Sequence, residues 1–142
     1  MSATVPRKPE RMPEQRVIRV VAADDHAAYL RATTDTLTRA GLAVVGISST
    51  GEGAIDEVRT HAPDVALVDL RMPGLSGADV ARAVSARYPA TRVVILSAYD
   101  DREIVQLAIA AGATGYVTKD STPEEIVRAV RRAADGESTL PG

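Results

Sequence analysis

The sequence of 142 residues contains no cysteine, no phenylalanine and no tryptophan. Without cysteine the chain forms no disulfide, no thiolate nucleophile and no thiolate metal site, and this composition fits a reducing cytoplasm. Tyrosine is the only large aromatic residue, with four copies, which disfavours a ligand pocket built on aromatic stacking. The core must therefore be built from alanine, valine, leucine and isoleucine.

Long apolar segments and a strong net charge are absent too. No apolar run approaches the ~20 residues that span a bilayer, so no membrane partner is expected. A net charge of −2 gives no sign of a general nucleic-acid binder. Residues 1–15 carry Pro6, Pro9 and Pro13 among charged neighbours and lack the apolar core of a signal peptide, so we expect a disordered leader there.

Short apolar runs alternate with helical patterns over residues 16–136, which predicts one domain. The predicted strands and helices, in chain order, are 17–23, 27–40, 42–47, 52–61, 65–68, 76–88, 93–96, 102–111, 115–118 and 123–135. The first, third and fourth strands are almost continuously apolar, as parallel strands buried on both faces are. Since helical crossovers between parallel strands are right-handed, the pattern predicts a doubly wound (βα)5 α/β fold with a five-stranded parallel sheet.

Local signals predict where several helices begin. Ser76, Asp100 and Thr122 each have an acidic residue three positions later, the pattern of a helix N-cap. Residues 48–51, after the second strand, are expected to be plain loop.

Polar side chains follow four of the five predicted strands. They are Asp24 and Asp25 after the first strand, Asp69 after the third, Ser97 after the fourth and Lys119 after the fifth. In open parallel sheets, ligands bind at the carboxyl ends of the strands. The sequence therefore predicts that these side chains meet at one rim.

Three carboxylates at one rim would raise one another's pKa unless a cation compensated their charge. An oxygen-rich site without cysteine suits a hard cation, above all Mg²⁺, for which Mn²⁺ can substitute. Lys119 adds a fixed positive charge and Ser97 a hydroxyl donor. Together they form a cradle for a phosphoryl group and leave one aspartate available as a nucleophile.

Four segments in this order resemble the receiver domain of two-component response regulators. They are Asp24-Asp25, DLRMPG at 69–74, Ser97-Ala98 and GYVTK at 115–119. The resemblance covers residues 16 to about 135 and implies the CheY-like, flavodoxin-like fold with strand order 2-1-3-4-5. Three segments are also similar to the NarL/FixJ branch, whose receivers usually precede a helix-turn-helix DNA-binding domain. These segments are DDH, DLRMPGLSG and GYVTKDSTPEEIVRAVRRAADGE.

The resemblance implies a role for each site residue. Asp69 would accept a phosphoryl group from a histidine kinase and form an acyl phosphate. Asp25 would bind Mg²⁺ directly and Asp24 largely through water, with the backbone carbonyl of Arg71 as a further ligand.

The resemblance also implies a role for Lys119 at the phosphoryl group and a switch formed by Ser97 and Tyr116. Ser97 would close on the phosphoryl group, and Lys119 would pair with Asp69 or with the phosphoryl oxygens. Tyr116 would turn inward when Ser97 moves and so change the face formed by the fourth helix, the fifth strand and the fifth helix. In this branch a homodimer on phosphorylation is the usual expectation.

The chain departs from the family pattern in two places. Asp120 stands where the family often has proline, which leaves the isomer of the Lys119–Asp120 bond open. Residues 137–142 look like the start of an interdomain linker, so either the chain is an excised receiver or the natural protein lacks an output domain. We favour excision, with DNA contacted only through the output domain.

Other polar residues can be explained without a role in the chemistry of the site. His26 lies next to the acidic pair, but we expect it to pack or to cap the first helix rather than to react. Three arginines of the fifth helix, Arg128, Arg131 and Arg132, either face acidic residues near the fourth helix of a second subunit (Asp100, Asp101 or Glu103) or form a solvated surface.

The leading hypothesis is a phosphorylation-controlled switch, which is not a turnover enzyme. The sequence disfavours three other functions. A haloacid-dehalogenase-type phosphohydrolase would carry a D-x-D nucleophile after the first strand, whereas here the two acids are adjacent and Asp69 ends the third strand. A flavodoxin-like nucleotide binder would need a Ser/Thr/Gly-rich loop where Asp24 and Asp25 stand. A receiver that signals without phosphate is disfavoured by the complete set of site residues.

Overall fold

The computed structural model describes residues 16–98 and 102–138. The predicted leader at 1–15 and the final residues of the predicted linker lie outside the described residues. The ten elements are β1 (Arg19–Ala23), α1 (Ala27–Arg39), β2 (Ala43–Ser48), α2 (Gly51–His61), β3 (Val65–Asp69), α3 (Gly77–Arg87), β4 (Arg92–Ser97), α4 (Arg102–Ala110), β5 (Gly115–Thr118) and α5 (Pro123–Ala134). Each boundary lies within two residues of its prediction.

All the strands pair in parallel in one sheet of order β2-β1-β3-β4-β5. The chain moves outward from β1 to β2, then crosses back to β3 and continues to β5. The strand order therefore reverses at β1 and β3, whose carboxyl ends lie side by side. This topology confirms the predicted doubly wound (βα)5 fold. No helix in the described ranges is long and apolar enough to cross a membrane.

Alternate strand residues enter two apolar clusters, one on each face of the sheet. Val20 and Leu67 belong to the cluster that includes residues of α1 and α5, whereas Val21 and Val68 belong to the cluster that includes residues of α2, α3 and α4. Consecutive strand side chains point to opposite faces, so a strand covered on both faces must be apolar throughout. This double burial fixes the central strands and hence the positions of the polar residues at their ends.

Two of the helices begin with a capping box, a pair of reciprocal hydrogen bonds between side chain and backbone. The Ser76 hydroxyl accepts from the Asp79 backbone N–H at 3.1 Å, and the Asp79 carboxylate accepts from the Ser76 N–H at 3.0 Å. Thr122 and Glu125 make the same pair of bonds, at 3.1 and 2.8 Å. Both predicted caps are confirmed, while the predicted cap at Asp100 lies outside the described residues.

The stretch after β2 is more ordered than predicted. Thr50 is the N-cap of α2, and its hydroxyl accepts from the Gly53 N–H at 3.0 Å. The expectation of plain loop over residues 48–51 is therefore wrong at both ends, because β2 extends to Ser48 and α2 already begins at Gly51.

Candidate functional site

The polar residues at the strand ends lie at one edge of the sheet. Asp24 and Asp25 follow the last residue of β1, Asp69 and Ser97 end β3 and β4, and Lys119 follows β5. Three of these side chains belong to residues that are almost fully buried, with exposed fractions of 2% for Asp24, 4% for Asp69 and 1% for Ser97. Ionisable groups so deep in a protein need compensating partners.

The acidic residues form a compact cluster. Asp24, Asp25, His26 and Asp69 each offer one donor atom, and these atoms lie within 4.8 Å of one another. The structure therefore brings together the three carboxylates that the sequence predicted to converge, and it adds the imidazole of His26.

Lys119 supplies the positive charge beside this cluster. Its Nζ lies 2.8 Å from Asp24 Oδ2 and 3.6 Å from Asp69 Oδ2. Burial works to lower the pKa of the ammonium, but the hydrogen bond to Asp24 and the charge of Asp69 outweigh it, so the pKa of Lys119 is raised. Lys119 therefore stays charged and acts as the counter-ion of both buried acids.

The turn that carries Lys119 is held by its own backbone and side chains. The Lys119 N–H donates to the Ser97 carbonyl at 2.7 Å, which ties the end of β5 to the end of β4. The Thr118 hydroxyl donates to the Asp120 carboxylate and lies 3.1 Å from the Ser121 hydroxyl. The Lys119–Asp120 peptide bond, whose isomer the sequence left open, is trans.

The carboxyl group of Asp69 has a strongly raised pKa. Burial first, and then the charge of Asp24, raise its pKa to about 6, against the opposing effects of Lys119 and the Arg71 backbone N–H. At neutral pH the carboxylate is therefore ionised but unusually basic. A more basic oxygen is a better nucleophile, so the arrangement suits Asp69 to attack an electrophile.

The loop after Asp69 is pressed against the start of α3. A Cβ at Gly77 would lie 2.5 Å from the Asp69 carbonyl oxygen and 2.8 Å from the Leu70 Cα. The Gly77 N–H donates to the Leu70 carbonyl at 2.8 Å. Only glycine leaves room for this approach, a requirement that the sequence analysis missed although Gly77 follows a predicted cap.

His26 occupies the N-cap position of α1, yet its side chain forms no capping hydrogen bond. Its backbone N–H donates to Asp24 Oδ1 at 2.9 Å. The imidazole is 72% exposed, with Nδ1 3.4 Å from Asp24 Oδ1 and 3.3 Å from Asp25 Oδ1. His26 therefore holds the expected cap position at the start of α1, but its side chain makes no capping bond and lies beside the two carboxylates at the edge of the cluster.

Sequence reasoning also missed Tyr29. The Lys119 Nζ lies 4.5 Å from the centroid of the Tyr29 ring, and the Tyr29 hydroxyl donates to the Lys119 carbonyl at 3.3 Å. Tyr29 is the third residue of α1, in the first turn of the helix that directly follows the acidic pair, which is the signal that could have placed it near the rim.

The predicted switch residues lie on neighbouring strands. Ser97 is buried at the end of β4, and Tyr116 on β5 is 6% exposed within the cluster of α2, α3 and α4. The inward movement of Tyr116 stays a prediction, as does the Arg71 carbonyl as a ligand.

The arginine-rich surface of α5 makes one contact that the sequence did not predict. Arg131 donates to the Ala40 carbonyl, just after α1, at 2.7 Å. Of the three acidic residues considered as partners, Asp100 and Asp101 lie outside the described residues and Glu103 lies in the first turn of α4, so pairing across a dimer stays a prediction.

The sequence matches the family model of the response regulator receiver domain over residues 20–131. The chain belongs to this receiver domain family. This membership separates it from the haloacid-dehalogenase-type phosphohydrolases and the flavodoxin-like nucleotide binders considered above.

Relatives and solved structures agree with the family. The Mycobacterium tuberculosis (strain H37Rv) protein named "Probable transcriptional regulatory protein NarL" is 42% identical over 129 residues, which cover 90% of this chain and 60% of that protein. Response regulator UvrY of Escherichia coli K12 is 32% identical over 124 residues, covering 85% of this chain and 56% of that protein. The chain thus spans 60% or less of the length of these relatives.

The signal receiver domain of a Mycobacterium tuberculosis NarL response regulator has a solved structure with a TM-score of 0.83 and 43% identity, covering 85% of this chain and 98% of that one. A LuxR-family two-component response regulator from Aurantimonas superimposes with a TM-score of 0.84 at 29% identity, covering 88% and 90%. The receiver fold and its NarL/LuxR-type branch are therefore shown.

Proposed function

We propose that Asp69 accepts a phosphoryl group from a histidine kinase and that the acyl phosphate switches an output. The observation that carries this proposal is the buried Asp69 carboxylate, with its pKa raised to about 6 beside Lys119 and two further acids. An Asp69 oxygen attacks the phosphorus of a phosphohistidine, and the O–P bond forms as the P–N bond breaks. The imidazole of the kinase leaves with the electron pair of that bond and takes up a proton.

The acidic cluster fits a hard divalent cation. Three carboxylates and one ammonium leave the cluster with an excess of two negative charges, and their oxygen atoms are the donors that Mg²⁺ prefers. Asp24, Asp25 and Asp69, with the Arg71 carbonyl, would hold Mg²⁺, or Mn²⁺ in its place. When bound, the cation offsets the charge of the carboxylates and of the phosphoryl oxygens.

The remaining residues of the site bind the transferred group and relay its arrival. The Lys119 ammonium pairs with a phosphoryl oxygen, and the Ser97 hydroxyl donates to another. Ser97 ends β4, Tyr116 lies on β5, and these two strands pair. A movement of Ser97 toward the phosphoryl group therefore changes the surroundings of Tyr116. We assign to this pair the switch that alters the α4–β5–α5 face.

The output lies beyond the receiver. Because the NarL relative is named a probable transcriptional regulatory protein and this chain covers 60% of its length, residues 16–136 serve as the receiver and residues 137–142 begin a linker to a helix-turn-helix domain. DNA is contacted only through that domain, and phosphorylation promotes a homodimer. The receiver catalyses its own phosphorylation and dephosphorylation and otherwise acts as a switch.

Intact-mass spectrometry after incubation with Mg²⁺ and acetyl phosphate tests this function. We expect a gain of ~80 Da that needs Mg²⁺, decays after desalting and is absent in Asp69→Asn. The matched control is Asp35→Asn on the exposed surface of α1, which should gain the same mass. An unmodified wild type would favour a receiver that signals without phosphate, and a modified Asp69→Asn would move the chemistry to another residue.

A further inference from the structure

Tyr29 contacts both the charged end and the main chain of Lys119. The ammonium lies over the ring at 4.5 Å from its centroid, and the hydroxyl donates to the Lys119 carbonyl at 3.3 Å. The two residues are 90 positions apart and lie on α1 and directly after β5. The Tyr29 side chain thus contacts both the ammonium and the main chain of Lys119. It does so from α1, a helix that carries neither Asp69 nor Lys119.

The lysine needs such support because its stem is flexible. A lysine side chain has four carbon atoms and a compact ammonium with no fixed direction, whereas Lys119 must meet two carboxylates at 2.8 and 3.6 Å. The ring face attracts the cation without offering a competing anionic oxygen. The ammonium therefore keeps its hydrogen-bonding capacity for the acids and for a phosphoryl oxygen.

We propose that Tyr29 is a positioning residue, whose ring holds the Lys119 ammonium at the acidic cluster and whose hydroxyl anchors the Lys119 main chain. The proposal rests on the proposed function for its kinetic consequence, but the contact itself is independent of phosphorylation. The ring supplies most of the effect, since it faces a largely desolvated cation while the hydroxyl bond is long.

Lysine side-chain NMR tests the contact directly. The sequence holds two lysines, Lys8 and Lys119, so selective ¹³C labelling of lysine gives two sets of methylene signals, which Lys8→Arg assigns. An aromatic face shifts protons lying above it upfield. We expect upfield Lys119 ε-proton signals in the wild type and in Tyr29→Phe, and loss of that shift in Tyr29→Leu and in Tyr29→Met.

The kinetic arm measures phosphorylation by acetyl phosphate at saturating Mg²⁺, followed by intact mass. We expect the Leu and Met variants to be slower by about threefold to tenfold, and the Phe variant to recover the rate to within about twofold of the wild type. In a Lys119→Met background, Tyr29→Leu should cause no further loss, because the group that it positions is gone. A general packing defect would slow both backgrounds equally.

The outcomes separate this inference from the proposed function. An unchanged Lys119 shift in the Leu and Met variants overturns the contact, whether or not the protein is phosphorylated. A lost shift with wild-type kinetics overturns the positioning role. If the wild type is never phosphorylated, the proposed function fails, and the NMR comparison alone supports or overturns the Tyr29 contact. Two ring-free variants are used so that a folding defect in one leaves the other to decide.

Discussion

The Lys119 ammonium lies nearer to Asp24 than to Asp69, at 2.8 Å from one carboxylate and 3.6 Å from the other. Asp24 offers Oδ2 to this lysine, while its Oδ1 accepts the His26 N–H at 2.9 Å. The two oxygens of the buried Asp24 carboxylate thus face different groups, Oδ2 the Lys119 ammonium and Oδ1 the His26 N–H. Lys119 is therefore the counter-ion of the acidic cluster as a whole before it serves any phosphoryl group.

Lys119→Met should destabilise the protein in a pH-dependent way. Removing the ammonium leaves buried acids without their counter-ion, so we expect the free energy of unfolding at pH 7 to fall by about 1–3 kcal/mol. At pH 5 the loss should be smaller, because Asp69, whose pKa is about 6, is then mostly protonated. Urea denaturation in EDTA at both pH values measures this, with Lys119→Arg as the charge-retaining control. An equal loss at both pH values would show that the lysine does not stabilise the protein through the ionised Asp69.

Asp69 itself should make the metal-free protein less stable as the pH rises. Its pKa is raised from 3.8 to about 6 in the folded state, so between these values the folded state binds more protons than the unfolded state, and the free energy of unfolding falls with increasing pH. Asp69→Asn removes this loss and should be more stable than the wild type at pH 7, by at most about 3 kcal/mol. Below about pH 4 the two proteins should converge. Parallel stability profiles of wild type and variant would contradict the raised pKa.

Mg²⁺ should reverse that loss. A ligand that binds only the folded state stabilises it by roughly 2.7 kcal/mol at a hundred times its Kd, and protonation of Asp69 competes with the cation. We therefore expect a larger rise in Tm with Mg²⁺ at pH 7 than at pH 5, and a much smaller rise in Asp25→Asn. Asp35→Asn, which alters an exposed acid on α1, is the control and should respond as the wild type does. A full Mg²⁺ response in Asp25→Asn would remove Asp25 from the ligand set.

The sequence predicts the fold and most of the site because both depend on local patterns. Continuous apolar runs locate the strands, and the polar residue that ends each run, such as Asp69 or Lys119, must lie at the carboxyl rim of a parallel sheet. The Tyr29 contact depends instead on the rotation of α1 about its axis relative to a turn 90 residues away, which no local pattern specifies. Lys119 lies closer to Asp24 than to Asp69 by less than 1 Å, a difference that no sequence pattern specifies either.

Gly77→Ala should disturb both stability and the site. Alanine is normally the better helix residue, but here its Cβ would meet the Asp69 carbonyl oxygen at 2.5 Å and the Leu70 Cα at 2.8 Å. These are backbone atoms, so relief requires α3 or the end of β3 to move. We expect the free energy of unfolding to fall by about 1–3 kcal/mol and phosphorylation at Asp69 to slow.

The matched control for this steric effect is Gly53→Ala, near the start of α2. There the closest obstacle is the Ser48 hydroxyl, 2.2 Å from the new Cβ. That side chain can rotate away at the cost of its hydrogen bonds to the Thr50 backbone, whereas the backbone atoms at Gly77 cannot. Gly53→Ala should therefore be less destabilising and should leave phosphorylation unchanged, because its neighbours do not carry Asp69. Urea denaturation and the mass assay on both variants measure the difference. Equal effects at the two glycines would show that the start of α3 has room to yield, and that the close approach at Gly77 does not hold Asp69 in place.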